Sequence, residues 1–197
     1  MDRNLDADFE HAPADLWVFG YGSLIWRPGF SFAERVPGHM IGVHRALCIY
    51  SFDHRGTPER PGLVLGLDRG GACRGIAYRV PAKDRAATIR YLREREQTTA
   101  VYREEVRMAW LQGPQERHVD ALCYVADRGH PQYAGKLTID QQLHNVRQGH
   151  GRSGNNRDYV LETVSALEKL GIVDHELHVL AERLKGTGEP IPAAQPS

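Results

Sequence analysis

Residues 17–26 read Trp-Val-Phe-Gly-Tyr-Gly-Ser-Leu-Ile-Trp. A strand-like apolar run meets Gly20-Tyr21-Gly22-Ser23 and turns apolar again at Leu24, before any helix begins. Glycine inside a strand pattern marks a bulge, a bend or a close approach of backbone to a ligand, and the pattern alone leaves all three open. Ser23 is the obvious nucleophile, yet a nucleophile elbow needs GxSxG, and Tyr21 and Ile25 stand where the glycines must be. The same run fails as a dinucleotide fingerprint, because Ile25 occupies the third glycine's place. Gly129-His-Pro-Gln-Tyr-Ala-Gly135-Lys136 is one residue too long for a phosphate loop, and Leu137 sits where a magnesium-binding hydroxyl is required. His175-Glu-Leu-His178 lacks the spacing that puts two imidazoles on one helix face, and solvated or capping histidines are the plain reading.

Two polar stretches remain. Ser51-Phe-Asp-His-Arg-Gly-Thr-Pro-Glu-Arg-Pro-Gly62 lies between two apolar strand-like runs. It is either a surface loop or a rim supplying Asp53, His54 and Arg55 to a polar ligand. Tyr91-Leu-Arg-Glu-Arg-Glu-Gln-Thr-Thr-Ala-Val-Tyr-Arg-Glu-Glu-Val106 has the charges of a solvated helix face. The alternative is that one of its glutamates points inward as a general base.

The first half of the chain reads as the strands that would position these groups: 16–23, 38–51 and 61–80, the last turning as a hairpin at Arg69-Gly70-Gly71. One helix follows Pro81, from about Lys83 to Glu96, with Ala87, Ile89 and Leu92 on its apolar stripe. A second hairpin turns at Gly113-Pro114. The last third reads as helices. Thr138 and Gln141 form a capping box, and Gly149 ends the helix they open. Asn156 caps a second helix stopped by Gly171, and Asp174 caps a third whose Leu177, Leu180, Ala181 and Leu184 face inward. Strands first and helices later predict an α+β fold with a mixed or mainly antiparallel sheet. The expected division is a loose arm over 1–15, one domain over 16–185 and a loose Pro/Gly-rich tail over 186–197.

Composition narrows the function classes. The 197 residues hold 25 Lys plus Arg against 25 Asp plus Glu, so no electrostatic case exists for a nucleic-acid or anionic-membrane partner. Cys48, Cys73 and Cys123 are odd in number, far apart and each in an apolar run, which predicts free buried thiols and a reducing compartment. The first sixteen residues are acidic and polar, without the apolar core of a signal peptide, and no run is long enough to span a bilayer. The expected location is the cytoplasm.

Taken together, Val18–Trp26, Ser51–Leu67, Cys73–Val80, Tyr91–Arg103 and the stretch from Gly149 to Leu180 resemble, in order, the ChaC family of γ-glutamylcyclotransferases, bacterial type. The resemblance implies a γ-glutamylcyclotransferase-like fold, a small mixed β-barrel flanked by helices. It also implies cleavage of glutathione to 5-oxoproline and Cys-Gly without a cofactor. Carried over, Glu96 matches the family's catalytic glutamate. The backbone of Tyr21, Gly22, Ser23 and Leu24 matches the loop holding the γ-glutamyl group. Tyr102 falls at the position of a tyrosine just downstream of the glutamate. Asp53, Arg55 and Tyr159 match rim contacts. Gln97 departs from the bacterial members' methionine.

In that chemistry the substrate's own α-amine is the nucleophile, so no catalytic Ser, Cys or metal is needed. Glu96 would take a proton from the ammonium and return it to the leaving amine. Such a base needs partial burial, and Arg93 and Arg95 are therefore expected to face outward, where they do not lower its pKa. Backbone amides of the Tyr21–Leu24 turn would bind anionic oxygens, with the Ser23 hydroxyl secondary. Other γ-glutamyl peptides or amines as substrates, and a non-catalytic binding or cation-transport regulatory role, are the alternatives.

Overall fold

The computed structural model describes residues 7–96, 100–114 and 117–186. Five strands, β1 (Leu16–Gly20), β2 (Glu34–Ser51), β3 (Gly62–Val80), β4 (Tyr102–Leu111) and β5 (Arg117–Ala126), close into a barrel in the order β1-β3-β2-β4-β5. Neighbours are antiparallel except where β5 meets β1, Trp17 opposite Ala121, and touches β3, Leu67 opposite Val125. The sheet is mixed, in an α+β fold, as the order of strand-like and helix-like segments predicts.

The expected hairpin at Arg69-Gly70-Gly71 is not a turn. β3 runs through it for 19 residues and pairs with β2 on both sides, Val43 with Arg69 and Ile41 with Ala72. Gly42, Gly70 and Gly71 have positive φ where the register slips. An extra residue in one strand bends and twists a ladder without ending it, which is how long strands curve into a barrel. Local glycine chemistry reads the same for a bulge and a turn; closure of the barrel decides between them. The Gly113-Pro114 hairpin does join β4 to β5.

Val18, Met40, Ile76, Tyr78 and Leu122 are fully buried and fill the interior. Helix α2 (Arg85–Glu96) leads from β3 to β4 with Thr88, Ile89 and Leu92 inward, whereas Ala87 of the expected stripe is exposed. Residues 7–15, taken from sequence as part of a loose arm, are docked in the described structure. The one-turn helix α1 (Ala7–Glu10) packs on α2, Arg85 donates to the Phe9 carbonyl at 2.8 Å, and Glu10 pairs with Arg93 at 2.9 Å.

The C-terminal helices α3 (Ile139–Gln148), α4 (Asn156–Lys169) and α5 (His175–Lys185) pack on one another and on the barrel. The Thr138–Gln141 capping box is present, and Asp174 accepts from the Leu177 amide at the start of α5. Asn156 is the first residue of α4 and not its cap, which is Asn155. Its fully buried amide instead bridges both backbone groups of Leu63 at 2.6 and 2.7 Å, tying α4 to β3. Cys48, Cys73 and Cys123 are free and buried.

Candidate active site

Past Gly20 the chain leaves β1 and folds into a single 3-10 turn, Ser23–Ile25. Gly20 is favoured there by a tight space. A Cβ on it would lie 3.0 Å from Leu24 Cβ and 3.3 Å from the Tyr78 ring. Gly22 is less constrained, since a Cβ would meet Leu65 at 3.5 Å and the Tyr159 hydroxyl at 3.8 Å, ordinary contacts. The open choice between bulge, bend and ligand approach thus resolves to a bend whose inner side faces a cavity of about 630 Å³.

Every site residue expected from sequence lines that cavity. Tyr21, Gly22, Ser23, Leu24, Asp53, Arg55, Glu96, Tyr102 and Tyr159 are all among its lining residues, with the half-exposed Asp53 at the solvent side. Glu96 ends α2 with its side chain 17 % exposed. Burial pushes its carboxyl above the ordinary glutamate range, while the adjacent Arg95 charge pulls it back. Four tyrosine hydroxyls, of Tyr21, Tyr102, Tyr124 and Tyr159, lie within its electrostatic reach. Burial raises all four, so they stay neutral beside it. Each is fixed through its hydroxyl. Tyr21 donates to the Tyr124 carbonyl at 3.0 Å, Tyr102 to the Leu65 carbonyl at 2.8 Å, Tyr124 to Glu104 at 3.1 Å, and Tyr159 accepts from the Leu65 amide at 3.2 Å.

The rim is built by a close backbone approach. The two-residue strands β6 (His150–Gly151) and β7 (Gly154–Asn155) lie against the polar loop, with Arg152 and Ser153 amides donating to the Asp53 and His54 carbonyls. A Cβ on Gly151 would fall 2.1 Å from the Asp53 oxygen, so only glycine serves there. Asp53 pairs with Arg152 at 2.7 Å. Arg55 lies over the Tyr159 ring at 5.3 Å and donates to the Asn155 carbonyl. The polar loop thus borders the cavity through Asp53, His54 and Arg55.

Arg93 and Arg95 do not face outward as expected. Arg93 turns to the barrel and chelates Glu104 at 3.0 to 3.2 Å. Arg95 enters the cavity wall, 3.1 Å from Glu96 and 2.8 Å from the Ser23 hydroxyl. The Ser23 side chain is therefore occupied as an anchor for Arg95. Alternating charge along a helix does not show which arginine turns inward; the adjoining turn decides it.

Arg45 is a further residue that the sequence reading missed. Its guanidinium, 3 % exposed, donates to the Tyr21 carbonyl at 2.5 Å, to the Arg74 carbonyl at 2.6 Å and to Asp174 at 3.2 Å. The signal was present: Val43, Arg45 and Leu47 occupy the inward alternation of one strand. Gln97, the departure from the family pattern, lies outside the described residues. Among the described residues no group of three or more His, Cys, Asp or Glu side chains is placed to hold a metal ion.

The arrangement brings a buried carboxylate and a bent backbone into the lining of one tyrosine-rich cavity. Residues 16–187 match the family model described as ChaC-like protein. The glutathione-specific gamma-glutamylcyclotransferase of Escherichia coli K12 is 33% identical over 172 residues, covering 86% of this chain and 73% of that one. The human glutathione-specific gamma-glutamylcyclotransferase 1 is 30% identical over 187 residues, covering 94% and 84%. The fold is shared with a crystal structure of a gamma-glutamyl cyclotransferase specific to glutathione from yeast, with a TM-score of 0.80 at 24% identity, over 87% of this chain and 96% of that one. With the family's segments present in order and folded around one cavity, the chain belongs to the ChaC-like protein family.

Proposed function

We propose that this protein is a γ-glutamylcyclotransferase that degrades glutathione to 5-oxoproline and Cys-Gly. The observation that carries the reading is Glu96, a carboxylate held mostly out of water in the wall of a cavity that the Tyr21–Leu24 turn also lines. The substrate's α-carboxylate lies on that backbone, so that the α-amine curls towards its own γ-carbonyl; this uses proximity and orientation in place of an enzyme nucleophile. Glu96 takes a proton from the α-ammonium. The freed amine forms a C–N bond with the γ-carbon, the amide bond to the cysteine nitrogen breaks as the proton on Glu96 goes to that nitrogen, and the proton still in excess on the ring nitrogen passes to the released amine, which leaves as an ammonium. Amides of the turn offset charge on the carbonyl oxygen.

Asp53, Arg55, Tyr102 and Tyr159 shape the mouth and walls for the rest of the peptide. The chemistry calls on no cofactor. Among the described residues no helix is long and apolar enough to cross a membrane. The free buried thiols support the cytoplasm as the place of action.

The test is Glu96→Gln, assayed for 5-oxoproline and Cys-Gly from glutathione. The variant folds and releases neither; near wild-type turnover refutes the assignment. Glutathione, γ-Glu-Ala and γ-glutamyl-lysine compared on the native protein decide the substrate range. Binding of glutathione without any 5-oxoproline from the wild type would favour the non-catalytic alternative.

A further inference from the structure

Arg95 has more partners in the site than a charge next to a general base requires. Besides Glu96 and the Ser23 hydroxyl, its guanidinium donates to the Arg27 carbonyl at 2.6 Å and to the Tyr91 hydroxyl at 3.1 Å. These partners come from two segments, the turn after β1 and the C-terminal half of α2, which also meet where Phe30 packs on the Tyr91 ring. The proposed reaction depends on their spacing, because the γ-glutamyl group must touch the turn and Glu96 together.

The charge matters as much as the reach. Four buried tyrosine hydroxyls surround Glu96, Tyr21 from the end of β1, Tyr102 from β4, Tyr124 from β5 and Tyr159 from α4. All are neutral and none offsets a carboxylate's charge. Of the other ionisable groups lining the cavity, Asp53, His54 and Arg55 belong to the polar loop, Arg27 to the turn, Tyr50 to β2, Tyr91 to α2 and Glu162 to α4. Asp53 is already matched by Arg152. Arg95 is the cation in contact with Glu96, at 3.1 Å, and it is itself only 23 % exposed.

We propose that Arg95 is a positioning residue that keeps Glu96 ionised and locked against the Tyr21–Leu24 turn, and so sets the acid side of the enzyme's pH profile. The inference rests on Glu96 being the base. A buried base is useful only if it is ionised when the ammonium arrives; burial opposes that and Arg95 restores it. Burial makes the carboxyl more basic and the Arg95 charge limits how far that goes.

Two measurements test this on the full chain. The first titrates Glu96 directly, by NMR of protein labelled at glutamate Cδ, with Glu96→Gln identifying the signal. The second records kcat/KM for glutathione against pH. In Arg95→Gln the Glu96 midpoint and the acid limb both move to higher pH by about one unit or more, the effect of removing an opposite charge in contact. Activity lost at neutral pH is then partly recovered at alkaline pH. Arg95→Lys keeps the charge without the fork, so its midpoint moves less than half as far while its kcat falls. A Glu96 midpoint in Arg95→Gln equal to the wild type's, or a loss uniform at every pH, overturns the proposal. Should Arg95→Gln fail to fold, a lysine variant whose midpoint rises by a full unit overturns it as well. The titration does not depend on turnover, so failure of the cyclotransferase reading shows separately, as no 5-oxoproline from the wild type, and failure of the Glu96 assignment as full activity in Glu96→Gln.

Discussion

Replacing Arg45 by methionine is the sharpest perturbation of the framework behind the site. The side chain has three partners, two backbone carbonyls and Asp174, at 2.5 to 3.2 Å, and is 3 % exposed. Methionine fills comparable space but donates nothing. Removing one partner of a buried ion pair costs about 3–5 kcal/mol, because the other charge is stranded. Asp174 is 17 % exposed and also caps α5, so water and the Leu177 amide relieve part of that cost. The orphaned Tyr21 and Arg74 carbonyls add to it, at about 1–3 kcal/mol for each group left without a partner, though not additively. The expected loss is about 3–4 kcal/mol, out of a total stability of about 5–15 kcal/mol. For a chain of this size that lowers Tm by roughly 6–16 °C. Urea unfolding followed by circular dichroism at neutral pH measures it. The double variant Arg45→Met/Asp174→Asn keeps a capping oxygen but removes the stranded charge, and should recover at least about 1 kcal/mol. A single variant within 1 kcal/mol of wild type, or a double variant no better than the single, would refute the reasoning.

Two further outcomes follow from the site. Because burial raises the Glu96 carboxyl above its unfolded value, ionising it works against folding. Stability on this account is fully present below the unfolded glutamate value and is lost as pH rises through the raised folded value. Glu96→Gln should therefore melt higher than wild type at neutral pH, with the gap closing below the ordinary glutamate range; a constant gap in thermal melts across that range contradicts the account. Ser23→Ala removes one anchor of Arg95 and should lower kcat about fivefold, the equivalent of ~1 kcal/mol. Gly22→Val adds branched carbons towards the Tyr159 hydroxyl, 3.8 Å from the first of them, and should cost at least ten times more activity than Ser23→Ala, as glutathione turnover would show.

Much of this was legible in the chain. The capping box at Thr138, the Asp174 cap and the inward stripe of α5 are local signals that tertiary packing left alone. The hairpin misread at Arg69-Gly70-Gly71 and the cap misplaced at Asn156 share a cause. In both, a residue type suited to a local role was used in a long-range one: a bulge opposite β2, and an amide bridging to β3. The inward turn of Arg95 had the same origin. Its partners lie about seventy residues earlier, in a turn whose shape helix periodicity does not contain.

The turn after β1 shows why its surroundings are built from donors. Backbone that is to offer its amides to a ligand must have its carbonyls engaged elsewhere, or a bound anion would meet acceptor oxygens as well. The Tyr21 carbonyl is held by Arg45, and those of Leu24 and Ile25 by the Tyr78 hydroxyl at 2.9 and 3.2 Å. The carbonyls of Gly22 and Ser23 accept from Ile25, Trp26 and Arg27 within the turn itself, and that of Arg27 accepts from Arg95. Every carbonyl from Tyr21 to Ile25 thus has a donor, and the opening amides of a 3-10 turn have no acceptor inside it. The polarity of the cavity wall is set by what lies behind it. Arg45 and Tyr78, which touch no ligand in the proposed reaction, then matter to binding as much as the glycines in front of them.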